Sequence, residues 1–180
     1  MTPSPDKNPA ARSARTTSAT RVAYCGLLCA LALIFSYIEV LIPFNIGVPG
    51  VKLGIANLVI IIALYQFNWR YAMGINIIRV LVSGLLFSGM FAALYSLAGA
   101  ILSMIVMALL KKTGLFSTVG VSIAGGVTHN LGQILVAAAL VSNLRMFVYY
   151  PVLIFSGVAS GAVIGIVAYF VLQKLPDIEK

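Results

Sequence analysis

The sequence predicts an all-α polytopic membrane protein: one bundle of six transmembrane helices with both termini in the cytoplasm. Hydrophobic residues make up 61% of its 180 residues and charged residues only 9%, whereas about a quarter of the residues of a soluble domain are charged. The apolar runs are continuous and about 20 residues long, the length of a helix that crosses a bilayer. Strands of a membrane barrel would alternate over about 10 residues. Composition and run length therefore exclude a soluble domain and a barrel.

The two ends of the chain are polar. Residues 1–20 are expected to form a disordered basic tail and residues 176–180 a short second tail, both cytoplasmic, around a membrane domain of residues 21–175. The run Val22–Ile42 is longer than the apolar core of a secretory signal, and no small-residue cleavage site follows it. We therefore expect this run to remain as the first transmembrane helix.

Small residues cluster in this first helix. Cys25 and Cys29 are one helical turn apart, where rigid helix geometry rarely suits a disulfide, so we expect them to serve as packing residues. Gly26 and Ala30 form a small-xxx-small face that permits close approach of another helix. Either internal packing or docking of another membrane subunit would use such a face.

Five further apolar runs complete the predicted bundle. Their approximate bounds are Leu53–Phe67, Tyr71–Phe87, Met90–Leu110, Val119–Val141 and Phe147–Leu172. The junction at Ser88–Gly89 is the weakest, because a kink inside one long helix there would reduce the count to five spans. In the last run, Gly157, Gly161 and Gly165 form a second small-residue face.

Basic residues decide between these two counts. With six spans and a cytoplasmic N-terminus, nine of them lie inside: Lys7, Arg12, Arg15, Arg21, Arg70, Lys111, Lys112, Lys174 and Lys180. The outer loops hold only Lys52 and Arg145, which is the asymmetry of the positive-inside rule. Five spans would move Lys111 and Lys112 outside, so the charges favour six spans. We expect the protein to lie in the plasma membrane. The basic residues are too few and too dispersed to bind nucleic acid.

Eight polar or charged residues lie within the spans or at their edges, and we predict that they line one substrate pocket open to the outer side. They are Glu39, Lys52, Asn57, Asn76, Arg79, His129, Asn130 and Gln133. Arg79 lies about 12 Å into its span, too deep to reach either surface easily. A charge at the bilayer centre costs about 3 kcal/mol on insertion scales, so it normally faces a cavity or a partner.

Plainer interpretations remain open for these residues. Single Asn, His and Gln side chains often form hydrogen bonds between membrane helices, and Glu39 and Arg79 can neutralise each other. The loop from Pro43 to Asn57, rich in Pro and Gly, is either a lid that carries Lys52 or a tight turn. One histidine without a cluster of acids or thiolates predicts no metal site and no catalytic triad. No catalytic residue, metal or cofactor is expected.

Two motifs carry a resemblance to a known family. The stretch PGVKLGIAN after the first span and THNLGQ in the fifth resemble the Gx transporter family, also labelled heptaprenyl diphosphate synthase component I. That family is similar to the substrate-binding S components of energy-coupling factor transporters, which are six-helix proteins. The resemblance implies a ligand pocket near the outer face, with Lys52, Asn57, His129, Asn130 and Gln133 as motif positions. It also implies that the face at Gly26 and Ala30 docks a coupling subunit.

The positions of the aspartates argue against catalysis by this chain as a prenyl diphosphate synthase. Prenyl diphosphate synthases hold Mg²⁺ through clustered aspartates, whereas Asp6 and Asp177 stand alone in the tails. The sequence also lacks a phosphate-binding loop ending in Lys-Ser/Thr. We therefore expect no enzymatic activity.

The expected function is that of a membrane substrate-binding subunit whose coupling subunit and ATPases are separate chains. Its small-molecule ligand would be anionic or amphiphilic, such as a vitamin, a flavin or an isoprenoid-like compound, because Lys52, Arg79 and Arg145 would outweigh Glu39. The alternatives are a non-catalytic accessory of prenyl diphosphate or quinone biosynthesis, and a self-sufficient secondary carrier coupled through His129 or Glu39.

Overall fold

The computed structural model describes residues 9–42 and 54–175, with side chains from residue 19 onward. Within these ranges the regular structure is helical. Its elements are α1 (Pro9–Leu41), α2 (Ile55–Gln66), α3 (Trp69–Ser83), a π-helical segment (Gly84–Ser88), α4 (Met90–Thr113), α5 (Thr118–Val141), a 3-10 segment (Leu144–Tyr149) and α6 (Tyr150–Lys174). Lys52 and most of the Pro43–Asn57 loop lie outside the described residues, as do the last five residues of the chain.

Helix α1 begins earlier than predicted. The structure begins this helix at Pro9, whereas the sequence placed the start of the first span at Val22. That residues 1–20 form a disordered cytoplasmic tail stays a prediction. Alanine and arginine are good helix formers, and proline is tolerated in the first turn, which accounts for a helix starting at Pro9. The part of α1 apolar enough to cross a membrane is Ala19–Leu41, close to the predicted first span.

Five segments of the described chain are long and apolar enough to cross a membrane: Ala19–Leu41, Trp69–Ser88, Met90–Thr113, Thr118–Val141 and Leu144–Lys174. The remaining helix, α2, is equally apolar but has only 12 residues. It is about 18 Å long at 1.5 Å per residue. Most of α2 is buried by the other helices, which explains why it is apolar all round. The structure therefore confirms a multi-pass helical membrane protein with five segments of spanning length. The six-span topology with cytoplasmic ends stays a prediction.

The weak junction after α3 is a reversal of the chain. The Gly89 backbone has φ +85°, a conformation that favours glycine. Gly84, before the junction, lies against Ala93, after it. Residues nine apart in one straight helix would be about 13 Å apart, so this contact requires a hairpin. Helices α3 and α4 are therefore two antiparallel elements, as predicted.

Glycines set the close packing of α4, α5 and α6. On α6, Gly157, Gly161 and Gly165 each lie against the backbone of α5. Between α4 and α5, Gly99 lies against the backbone at His129. This confirms the predicted small-residue face on the last helix. The face at Gly26 and Ala30 is different, because both residues are exposed on α1 and a Cβ on Gly26 would meet nothing within 4 Å.

The apolar core surrounds α2 and occupies one end of the bundle. Every helix contributes to it: Ala32, Val59, Ile60, Ile61, Ala63, Leu64, Ala72, Ile75, Met104, Met107, Val121, Ile164 and Ala168. Cys25 and Cys29 are free thiols packed against this core, as expected. Lys111 closes the same end by donating from Nζ to the Leu64 carbonyl, 2.6 Å away, near the C-terminus of α2.

We predict that Gly157→Ala destabilises the bundle. A Cβ at Gly157 would lie 2.9 Å from the carbonyl carbon and oxygen of Gly126, and backbone atoms cannot move aside as a flexible side chain can. Helices α5 and α6 would have to separate, at a cost of about 1–3 kcal/mol. Denaturant titration in detergent, followed by circular dichroism, measures the loss.

Gly74→Ala is the matched control, because a Cβ at that position of α3 meets nothing within 4 Å. It should leave stability unchanged or raise it by up to about 1 kcal/mol through helix propensity. Equal unfolding midpoints for the two variants would contradict the close α5–α6 contact.

Candidate functional site

A polar cavity of about 170 Å³ lies at the other end of the bundle, where α1 ends and α2 begins. All six helices contribute to its wall. The lining residues are Ser36, Glu39, Val40, Gly54, Asn57, Arg79, Val80, Ser83, Gly84, Ser88, Ala92, Ser96, Gly126, His129, Asn130, Gln133 and Ser160. In each helix these positions come after or before the core positions along the axis. The apolar core therefore lies directly below the polar cavity along the bundle axis, and we call this cavity the polar chamber.

Arg79 is the buried cation of this chamber. Its side chain is only 8% exposed. Nη2 donates to Asn76 Oδ1 at 2.8 Å and to Asn57 Oδ1 at 3.4 Å, while Nε is buried and has no hydrogen-bond partner in the structure. Asn76 in turn donates to the Ala100 carbonyl of α4 at 3.4 Å. The guanidinium is thus held in place by two asparagine side chains.

Glu39 is partnered by the start of α2. Its Oε1 accepts a hydrogen bond from the Ile55 backbone N–H at 2.7 Å, where the unpaired amides and the helix dipole favour a carboxylate. No ion pair within 4.0 Å joins Glu39 to Arg79 in the described part of the chain. Glu39 and Arg79 therefore form no direct salt bridge, and both face the cavity.

Helix α5 presents one continuous polar face to the cavity. Gly126, His129, Asn130 and Gln133 follow the i, i+3, i+4, i+7 spacing of a single helix face. Asn130 Nδ2 donates to the Leu153 carbonyl of α6 at 2.7 Å. Gln133 Nε2 donates to Ser96 Oγ of α4 at 3.4 Å. The two amides thus also join helices, as the plainer interpretation held, while still lining the cavity.

The structure brings together most of the predicted site. Six of the eight residues line the cavity: Glu39, Asn57, Arg79, His129, Asn130 and Gln133. Asn76 is buried behind the wall and positions Arg79. Lys52 lies outside the described residues. That these side chains bind a ligand stays a prediction.

Arg145 does not belong to the site. It is exposed in the 3-10 segment and is absent from the cavity wall. Arg145 therefore does not contribute to the positive charge that the sequence predicted for the pocket. Among the described residues the wall carries one cation, Arg79, and one carboxylate, Glu39, at different places.

Serines are the lining residues that sequence reasoning missed: Ser36, Ser83, Ser88, Ser96 and Ser160. Ser36 and Ser160 donate to carbonyls of their own helices, at 2.9 Å and 3.5 Å, so a buried serine needs no partner helix and gives no hydropathy signal. Helical spacing could have found Ser36 and Ser83, which lie one turn from Glu39 and Arg79. Nothing in the sequence marks Ser96 or Ser160.

Metal chemistry has no ligand set in the part of the chain that the structure describes, which holds no group of three His, Cys, Asp or Glu side chains able to bind an ion. Hydroxyl, amide, imidazole and guanidinium groups line the wall together with the Glu39 carboxylate. Such a set suits recognition of a polar or anionic group by hydrogen bonds.

Comparison with known proteins identifies the family. The family model described as heptaprenyl diphosphate synthase component I matches residues 28–171, a range that contains all six helices apart from the N-terminal part of α1 and the last turn of α6. Neither the curated proteins nor the solved structures contain a match. On the strength of a match over most of its length, the chain belongs to the heptaprenyl diphosphate synthase component I family.

Proposed function

We propose that the protein is the substrate-binding membrane subunit of a transporter that resembles the energy-coupling factor type, with a small anionic or amphiphilic molecule as its ligand. One observation carries this proposal: all six helices contribute to one polar cavity, and a buried arginine, Arg79, lines it. A charge at lipid depth normally faces a cavity or a partner, and Arg79 lines a cavity.

The chemistry of the cavity supports binding over catalysis. Charge-assisted hydrogen bonds from a fixed guanidinium are strong and recognise carboxylate or phosphate oxygens. Glu39 is engaged with the start of α2, so it is poorly placed to act as a general base. We infer a ligand-binding protein without enzymatic activity, which works without a cofactor.

Transport would need energy from partner chains. No ATP-binding loop occurs in the sequence, so the proposal includes a membrane coupling subunit and ATPases. The exposed small residues Gly26 and Ala30 on α1 are the proposed docking face, since small residues let two membrane helices approach closely. The proposal further places six spans in the plasma membrane, both ends in the cytoplasm and the cavity open to the outside.

A second candidate function is favoured by the description of the family. The name heptaprenyl diphosphate synthase component I suggests a non-catalytic accessory that presents an isoprenoid-like lipid to a synthase. The same cavity would then hold a diphosphate or a quinone head group. The two candidates differ in their protein partner, which makes the partner the decisive observation.

Arg79→Gln should abolish retention of a co-purifying ligand. Loss of charge-assisted hydrogen bonds of about 1.5–3 kcal/mol corresponds to a 10- to 150-fold weaker affinity. Native mass spectrometry of the gently purified protein measures the bound fraction. Arg70→Gln is the matched control, because Arg70 is exposed and stacks on Trp69, with 5.8 Å from Cζ to the ring centre, outside the cavity. Equal ligand retention in both variants would reject Arg79 as a ligand contact.

Ala30→Leu should reduce co-purification with an ATP-hydrolysing membrane complex several-fold, because the larger side chain would hold a docking helix away. Ala159→Leu, at an exposed position of α6, should leave recovery unchanged. Affinity purification of the full chain from its native membrane, with quantification of the captured ATPase, makes the comparison. Recovery of a prenyl diphosphate synthase in place of an ATPase would decide for the accessory role.

A further inference from the structure

An apolar recess lies beside the polar cavity, against the same part of α5. Its volume is about 170 Å³. The lining residues come from α4, α5, the 3-10 segment and α6: Tyr95, Gln133, Ile134, Ala137, Met146, Tyr149 and Leu153. Apart from Gln133 and the two tyrosine hydroxyls, these side chains present only apolar atoms. The recess therefore has the opposite character to the chamber next to it.

Gln133 is the shared wall between the two spaces, because it lines both of them. Its Nε2 donates to Ser96 Oγ at 3.4 Å, longer than the 2.7–3.2 Å of an ordinary hydrogen bond. One helical turn earlier on α5, the hydrogen bond from Asn130 Nδ2 to the Leu153 carbonyl is 2.7 Å long. The Gln133 contact is therefore the weaker of the two, and Asn130 joins α5 to α6 independently of it.

The recess has the size of a small organic group. A benzene molecule fits an apolar protein cavity of about 150 Å³, so a recess of about 170 Å³ accommodates one ring or a short carbon chain. Water gains little from such a wall, because only Gln133 and the tyrosine hydroxyls offer it hydrogen bonds. Apolar matter is the favoured occupant.

We propose that the ligand is an amphiphile, with an oxyanion head in the polar cavity near Arg79 and a ring or short apolar chain in the recess beyond Gln133. The inference rests on the proposed binding function and deepens it by joining two spaces of opposite polarity into one site. Arg79 recognises the head through charge, and the recess selects for the tail through buried apolar area. Gln133 lies at the junction, where its amide meets the last polar atom of the ligand.

The test uses two pairs of probes, so that a carboxylate head is distinguished from a phosphate head. Acetate is compared with hexanoate, and inorganic phosphate with n-hexyl phosphate. Affinities are measured by titration calorimetry on the full chain in lipid nanodiscs, with empty nanodiscs subtracting partition of the chain-bearing probes into lipid. In at least one pair the six-carbon probe should bind at least about tenfold more tightly than its head group alone.

Ala137→Leu fills the recess and should remove this preference while leaving the affinity for the head-only probe unchanged, which also shows that the variant is folded. Ala139→Leu is the matched control, with the same substitution on α5 at an exposed position outside both spaces. It should keep the full preference.

Equal affinity within both pairs overturns the inference, as does a preference that survives in Ala137→Leu or the failure of all four probes to bind. A different result would contradict the proposed function, namely ligand retention that does not depend on Arg79. The two failures are therefore distinguishable.

Discussion

Hydrogen bonds around the buried Arg79 guanidinium connect three helices at the polar end of the bundle. A charge at lipid depth is costly unless other groups surround it. Asn57 of α2 and Asn76 of α3 accept from Nη2, and Asn76 also donates to the Ala100 carbonyl of α4. Arg79 and Asn76 thus connect α2, α3 and α4. Because Arg79 also lines the cavity, the same side chain joins helices and faces the space where a ligand is proposed to bind.

Two other constraints position the rest of the chamber. The carboxylate of Glu39 accepts a hydrogen bond from the first backbone N–H of α2. This bond fixes the start of that short helix and brings Asn57 into the cavity wall. On the opposite side, Gly99 and Gly157 let α4 and α6 approach the α5 backbone closely. The polar face of α5 therefore meets the cation side across a space of small-molecule size, with the apolar core beneath it. Architecture and binding chemistry depend on the same contacts.

Much of this site was predictable because helical spacing turns sequence separation into direction. The spacing of His129, Asn130 and Gln133 placed them on one face, and the depth of Arg79 demanded a cavity or a partner. Other features were not predictable. Ser96 and Ser160 are small polar residues in apolar helices, and their hydroxyls give no sequence signal. The exclusion of Arg145 and the partner of Glu39 depend on distances between helices that the sequence does not encode locally.

The sequence by itself determined the class of protein, the approximate position of each helix and the residues that lipid would not tolerate alone, because hydropathy and helical periodicity are local properties. Only the tertiary structure decided that α2 is a short buried helix, that Glu39 binds its first amide instead of Arg79, and that an apolar recess adjoins the polar cavity at Gln133. Those outcomes follow from which helices are neighbours and how closely glycine lets them approach. Such distances emerge only when the whole bundle is packed.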